Sequence, residues 1–433
     1  MMTNTTAPDH LFAHRFSLCR FAVLWIVPVL LFMLTVTPFQ ALAGSEATLD
    51  GKLHIQNGST PEHGVETLEL EELWRVGGED GEAIFGVVIQ VLADAAGNIY
   101  LLDLQLSEVQ VYSPDGDYIQ TLSRQGEGPG EVNNPVDMVL MPNENLGLVQ
   151  SFPGKIIKID LQGNPAGDFT PGGSDPTQGG FISLIDAKVS GDGFLAGGLK
   201  ILIDQEAGSR TNLNFVASFQ EDGTENLVFA EHGVVFDFND IKIHEKDNYF
   251  PHLRRWTAGA DGRVYIASHR NQYAIDVYNA DGSLDRIIER EFTSWQRNDK
   301  EMGRINAQMD ATLSQIPAEV ESSVETTEPD ITAVRIADDG SLWILTSQGQ
   351  RQQPDGIMLT YDVFDADGHF QKQVAVACPG DGVEDGLLFI GNRVVLVTGF
   401  TEALNMLQRQ GAASTTDDEE EAEPMEIVCY QIK

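Results

Sequence analysis

The sequence predicts an all-β fold, a six-bladed β-propeller closed by an N-terminal strand, with one inserted amphipathic helix between blades four and five. Three observations predict it. First, residues 93–122, ADAAGNIYLLDLQLSEVQVYSPDGDYIQTL, lay out three short strands around turns at 94–97 and Pro114-Asp115-Gly116, and residues 87–92 place a fourth in front of them. Short apolar or alternating runs bounded by Gly, Asx and Pro are the pattern of antiparallel strands joined by tight turns. Second, the unit recurs. Turns at Gly97, 143–145, Gly193, Gly262, Gly340 and Gly391-Asn392 are each followed by an apolar run, at 99–102, 146–150, 194–196, 264–267, 342–345 and 394–397. Such a repeat decides the architecture where a length of 433 residues does not. Third, the sixth unit stops one strand short at Ile432, while residues 68–76, LELEELWRV, nearly alternate and stand outside any unit. Pairing them beside 426–432 completes the sixth blade and leaves no open sheet edge.

Taken in order, the chain begins with an address. Arg15 and Arg20 precede an apolar run at 21–36, and Ala41-Leu42-Ala43 has the small-x-small form that signal peptidase accepts, so residues 1–43 are expected to be a signal peptide cleaved before Gly44. The run is shorter than the roughly 20 residues of a spanning helix. The mature chain is therefore expected to be periplasmic or secreted, with no stable membrane span. Residues 44–65 read as an N-terminal linker and 66–433 as the propeller.

Third strands are expected at 156–160, 214–219, 273–278, 360–364 and 426–432, and Asp222-Gly223, Asp281-Gly282 and Asp367-Gly368 supply hairpin turns after three of them. These Asp-Gly pairs lack the alternating oxygen ligands and closing Glu of an EF-type calcium loop, and the flanking strands account for them. Three insertions break the spacing. Residues 197–211 lengthen a loop of blade three. Residues 293–330 hold the helix, with Met302, Ile305, Met309, Leu313 and Ile316 at three- and four-residue steps before Pro317. Residues 401–424 read as a solvated acidic loop, with six acids within 417–423.

With 27 basic against 66 acidic residues, a formal charge of −39, the surface repels nucleic acid and anionic lipid. In the mature part Cys378 and Cys429 either pair in an oxidising compartment or stay buried thiols. There is no CxxC, HExxH or GxSxG. No cofactor or metal site is expected, with room left for a divalent metal at the pore.

Gly-Asn-Ile-Tyr-Leu-Leu-Asp at 97–103, Val-Gln-Val-Tyr at 109–112 and Arg-Gln-Gly-Glu-Gly-Pro-Gly-Glu at 124–131 resemble the bacterial exported six-bladed β-propellers related to NHL repeats. The resemblance covers most of 66–433 and is strongest in blades one, four and five. It implies fold more than activity, because relatives include binding modules and a few lyases, lactonases and hydrolases.

In a propeller the second-to-third-strand loops and the blade-to-blade loops emerge on one face, where function usually sits. That upper face is expected to carry Asp103, residues 124–131, the insertion from Gly197, residues 248–255 and 268–272, the helix and the acidic loop. Glycines between Arg124 and Glu131 let amides approach a ligand. Glu131 stands where a dinucleotide loop needs a third glycine, and a tight crossing with Arg124 paired to Glu131 is the alternative. His252, Arg254, Arg255, His269 and Arg270 are expected together at the pore mouth, either gripping an anionic ligand or neutralising nearby acids. The reading that follows is a binding module for a protein, peptide or glycan partner or a small anionic ligand. The alternative is a lactonase-like hydrolase or lyase, a His general base beside an Arg-stabilised carboxylate.

Overall fold

The computed structural model describes residues 45–79, 81–172, 181–190, 193–411 and 424–433; the expected signal peptide and the acids at 417–423 lie outside them. Six four-stranded antiparallel sheets follow one another, with first strands Val88–Ala93, Pro135–Leu140, Phe181–Ser190, Trp256–Ala258, Ile331–Ile336 and Gly386–Ile390 lying innermost. Interior strands such as Ile99–Asp103 are buried throughout, because both faces of a blade are covered, and they read as unbroken apolar runs. Outer strands such as Tyr118–Leu122 are mostly exposed and read as mixed.

Apolar residues from neighbouring blades make six separate cores. Tyr100, Leu102, Leu146 and Leu148 join blades one and two, and Trp74, Val88, Val395 and Ile427 join blades six and one. The remaining four interfaces are filled in the same way. Six sheets sharing six cores form a closed ring.

The closure is the one expected. Strand Val65–Gly77 runs antiparallel to Glu426–Ile432, with Gly77 opposite Glu426, Arg75 opposite Val428 and Leu70 opposite Ile432. The same strand also does something the sequence did not show. Its first residues pair in parallel with Phe370–Ala377, the outer strand of blade five, from Val65 opposite Gln373 to Glu69 opposite Ala377. One strand therefore stitches blades five and six together.

Several expectations need correction. Residues 44–65 are not a linker: Ser45–Leu49 and Lys52–Asn57 form a hairpin, and the second strand pairs in parallel with Leu284–Arg290 on the outside of blade four. Ile55 is buried against the blade. Asn57, also buried, donates to Glu289 O at 3.0 Å and Gly368 O at 2.9 Å and accepts from Phe370 N at 2.9 Å, clamping blades four and five. Residues 197–211 are not a loop. Gly193–Asp204 and Ser209–Phe219 pair without a break up to Asp204 opposite Ser209, and Glu225–Asp237 lies alongside, so blade three extends as a ribbon above the ring.

Three helices are present among the described residues rather than one. Helix α1, Asp299–Leu313, has a capping box between Asn298 and Glu301 and ends at Ser314, which leaves Ile316 beyond it. Helix α2, Ser347–Arg351, starts where the Thr346 hydroxyl caps Gly349 N. Helix α3, Phe400–Gly411, occupies the start of the expected acidic loop. Its Phe400, Ala403, Leu404 and Leu407 step by three and four, a helical signal masked by the acids that follow. No helix among the described residues is long and apolar enough to cross a membrane. Cys378 and Cys429 are free and buried in different cores, and burial pushes their thiols up to about 12 and about 11.

Candidate functional site

A cavity of about 1000 Å³ opens on the upper face, between the blade-three ribbon, the segment that follows it and α1. Phe236 and Phe238 come from the ribbon's last strand and its exit, Ile241 and Ile243 from the crossing to blade four, and Ile305 and Met309 from successive turns of α1. No α1 side chain is fully buried, because its apolar side covers this space rather than a packed core. Tyr249, Phe250, His252, Arg255, Arg270 and Arg297 line the end nearest the ring.

Four arginines and two glutamates line the cavity, a net charge of +2 in a chain of −39. Arg270 is already committed. Its Nη2 donates to Glu245 Oε1 and to Thr327 O, both at 2.6 Å, and its Nη1 to Asn271 Oδ1 at 2.9 Å and Thr327 Oγ1 at 3.1 Å. Glu245 also takes Arg297 at 2.8 Å, Arg297 reaches Glu328 at 3.1 Å, and Arg351 joins Glu328 at 3.1 Å to Glu301 at 2.6 Å. This relay of three arginines and three glutamates runs from the blade-four loop to the cap of α1. Burial alone would raise the Glu245 pKa, but hydrogen bonds from Arg297, the Glu325 amide and Arg270 hold it down at about 2. Arg270 thus neutralises a local acid, as one of the two sequence readings had it.

Four nitrogens in the cavity are left over, one of them on Arg297 of the relay. Arg210 Nε, His252 Nδ1, Arg255 Nε and Arg297 Nε are buried without a hydrogen bond, and none of the unpaired buried oxygens among the described residues belongs to the lining. Arg255 stacks on Tyr249, 5.1 Å from its centroid, and donates Nη2 to Phe250 O at 3.2 Å. Neither it nor Arg210 has a carboxylate within ion-pair distance among the described residues. His252, only 8% exposed, has Nε2 3.1 Å from Asn214 Oδ1, so Nε2 carries the proton and Nδ1 keeps a free lone pair. Burial, reinforced by the Arg255 charge, pushes its pKa down to about 3, and the ring is neutral.

The other predicted residues are placed elsewhere. Arg254 turns away from Arg255 and reaches across to Ile89 O of blade one at 3.5 Å, with Phe400 5.8 Å beneath its guanidinium. Blades one and four are opposite in a six-membered ring, so this side chain lies over the central channel. Leu253 and Arg254 hold left-handed φ of 51° and 73°, fixed in part by Val334 N donating to Arg254 O at 2.6 Å. His269 is exposed and does not line the cavity. Arg124 pairs with Glu131 at 2.5 Å, and Glu131 also accepts from Gly128 N at 2.8 Å. A Cβ at Gly126, whose φ is 158°, would come within 2.0 Å of the Glu131 carboxylate, so this segment is a tight crossing. Asp103 caps three amides, Gly86, Val87 and Leu106, at 2.7, 3.2 and 2.9 Å. The sequence reading missed Arg210, Glu245, Arg297, Glu328 and Arg351.

Residues 84–169 match a family model described as DUF5128, a 6-bladed beta-propeller. This chain is a six-bladed β-propeller. No curated protein sequence matches it. Solved structures similar to the propeller include an exported protein from Bacteroides fragilis, at 12% identity over 88% of this chain and 99% of that one, with a TM-score of 0.46. A DUF4221 family member from Bacteroides vulgatus is 11% identical over 84% and 98%, with a TM-score of 0.48. Virginiamycin B lyase from Staphylococcus aureus is 9% identical over 84% and 100%, with a TM-score of 0.39. At these identities the chemistry of those proteins does not transfer to this chain.

Among the described residues of the propeller, no three His, Cys, Asp or Glu side chains are placed to hold a metal ion. Beside the cavity, Asp186 Oδ2 accepts from Trp256 Nε1 at 2.7 Å and ties blade three to blade four, while its Oδ1 has no partner. Gly197 leaves the space it needs, since a Cβ there would meet Oδ1 at 2.1 Å. Burial, only partly offset by Lys188, raises the Asp186 pKa to about 6. A raised folded pKa gives a penalty that is absent below the unfolded value near 4 and complete above about 6. Asp186→Asn, which keeps the Trp256 bond, is expected to stabilise the propeller by about 2 kcal/mol near pH 7.5 and hardly at all near pH 4, read from urea unfolding. A loss at both pH values would contradict this.

Proposed function

We propose that the protein is an exported ligand-binding module whose upper cavity takes an anion with a largely apolar body. The observation that carries this is Arg255, a desolvated guanidinium that feels Asp186 only at longer range and has no carboxylate within ion-pair distance among the described residues, in a chain with 66 acidic residues. A half-buried cation without an ion pair is poorly solvated, and an incoming oxyanion offsets that cost with charge-assisted hydrogen bonds of about 1.5–3 kcal/mol each. The cavity volume, about 1000 Å³, is at the upper end of small-molecule sites, and its Ile and Phe walls suit an apolar body better than a glycan. Export to the periplasm or beyond rests on the 1–43 segment.

The hydrolase or lyase reading finds less support. A histidine whose pKa is about 3 is a weak general base at neutral pH, and His269 is not beside it.

The test is a fluorescence titration with 1-anilinonaphthalene-8-sulfonate, an apolar monoanion. One molecule is expected to bind per chain, with affinity falling about 10-fold or more in Arg255→Met. The uncharged N-phenylnaphthylamine is expected to bind more weakly by a similar factor. Equal binding of the two probes would overturn the proposal.

A further inference from the structure

We infer that the ligand is a linear carboxylic acid of about ten to fourteen carbons, its carboxylate on Arg255 and its chain lying between the blade-three ribbon and α1. This rests on the cavity reading above.

The two lining arginines without an ion pair among the described residues, Arg255 and Arg210, stand at opposite ends of the cavity. Arg255 and His252 stand at the ring end, with His252 touching Asn214 on the strand Ser209–Phe219. Arg210, on the same side of that strand, lies four residues farther out, about 13 Å away, roughly the span of ten methylenes. It rests on Phe236 at 4.9 Å and sits one residue from the ribbon's hairpin end, opposite Ile203, which puts it at the outer end of the cavity. Between the two ends Ile305 and Met309 form an apolar ridge one helical turn apart, and the polar Asn248, Gln308 and Thr312 of the same lining are engaged by His244 O, Asn405 and Gln308 O.

An elongated trough with an unpaired cation at its inner end selects an elongated molecule with an anion at one end. A peptide or glycan body brings an amide or hydroxyl every few atoms, and each one left unpaired against the Ile and Phe walls is penalised by its lost hydration. A polymethylene chain brings none and gains with every CH₂ it buries. The head is a carboxylate because Arg255 keeps a free Nε and, beyond the N–H that Nη2 gives to Phe250 O, further N–H groups on the same planar guanidinium, an edge that matches two carboxylate oxygens. Arg270 and Arg297 are engaged by Glu245 and Glu328 and stay in the relay.

The experiment is displacement of bound anilinonaphthalene sulfonate by dodecanoate. Dodecanoate is expected to displace the dye at micromolar concentration, while butyrate and dodecanol require about 30-fold more or fail. Arg255→Met is expected to weaken dodecanoate by about 10-fold or more and Arg210→Met by about threefold or less. Met309→Trp fills the trough from another element and is expected to block dodecanoate with the fold intact, so a folding defect at position 255 does not decide the matter. If the dye binds through Arg255 but dodecanoate does not displace it, the linear acid is wrong and the cavity reading stands. If neither molecule binds, both fall. A larger effect at Arg210 than at Arg255 overturns the assigned position of the carboxylate.

Discussion

Trp74→Ala is expected to lower the unfolding free energy by about 3–5 kcal/mol, the usual cost of truncating a buried aromatic. Trp74 sits in the donated strand opposite Cys429, inside the core between blades six and one. Its indole stacks on Tyr112 with centroids 6.0 Å apart, and its Nε1 donates to Pro114 O at 3.1 Å. The Pro114-Asp115-Gly116 turn fits beneath it, because a Cβ at Gly116, whose φ is 90°, would lie 2.6 Å from the indole. One side chain thus latches the sixth blade to the first across the seam. Urea unfolding gives the loss directly, and Trp74→Phe, which keeps the ring but not the donor, is expected to cost about 1–2 kcal/mol. A loss below about 1 kcal/mol for the alanine variant would mean that the seam is held elsewhere.

Arg297→Met is expected to cost about 3–5 kcal/mol and to release α1 from the ring. The Arg297 side chain is 3% exposed and joins Glu245 to Glu328, so its removal leaves two carboxylates facing each other with too little positive charge. The pH dependence has a definite sign. Glu245 titrates at about 2 against a reference of 4.5, so its contribution is complete above about pH 4.5 and fades as pH falls toward 2. The destabilisation by Arg297→Met is therefore expected to be large near pH 7 and much smaller near pH 3, where the orphaned carboxylates take up protons. Urea unfolding at both pH values checks it; an equal loss at both would remove the relay from the account.

The ring was legible because its strands are buried on both faces and are spelled as apolar runs between Gly and Asx turns. The seam was legible because the strands of the last blade could be counted. The N-terminal hairpin was not, since edge strands with one buried residue such as Ile55 barely alternate. The ribbon was misread although Leu199, Ile201 and Ile203 alternate within it, because the repeat suggested that strands end after five residues. At the site, His252, Arg255 and Arg270 line one cavity between the ribbon and α1, while Arg254 and His269, expected with them at the pore mouth, do not. Their partners were not legible: Arg270 meets Glu245 from another segment, 25 residues away. Arg254 and Arg255 are neighbours in sequence but point apart, one over the channel and one into the cavity, and no local pattern announces which.

The binding cavity is the central claim, and hydrogen–deuterium exchange with and without anilinonaphthalene sulfonate tests it most directly. Bound dye is predicted to slow exchange in α1, in the ribbon strands Ser209–Phe219 and Glu225–Asp237 and in residues 241–255, leaving the turns on the opposite face unchanged. Protection confined to those opposite turns, or no protection in α1 at saturating dye, would contradict it.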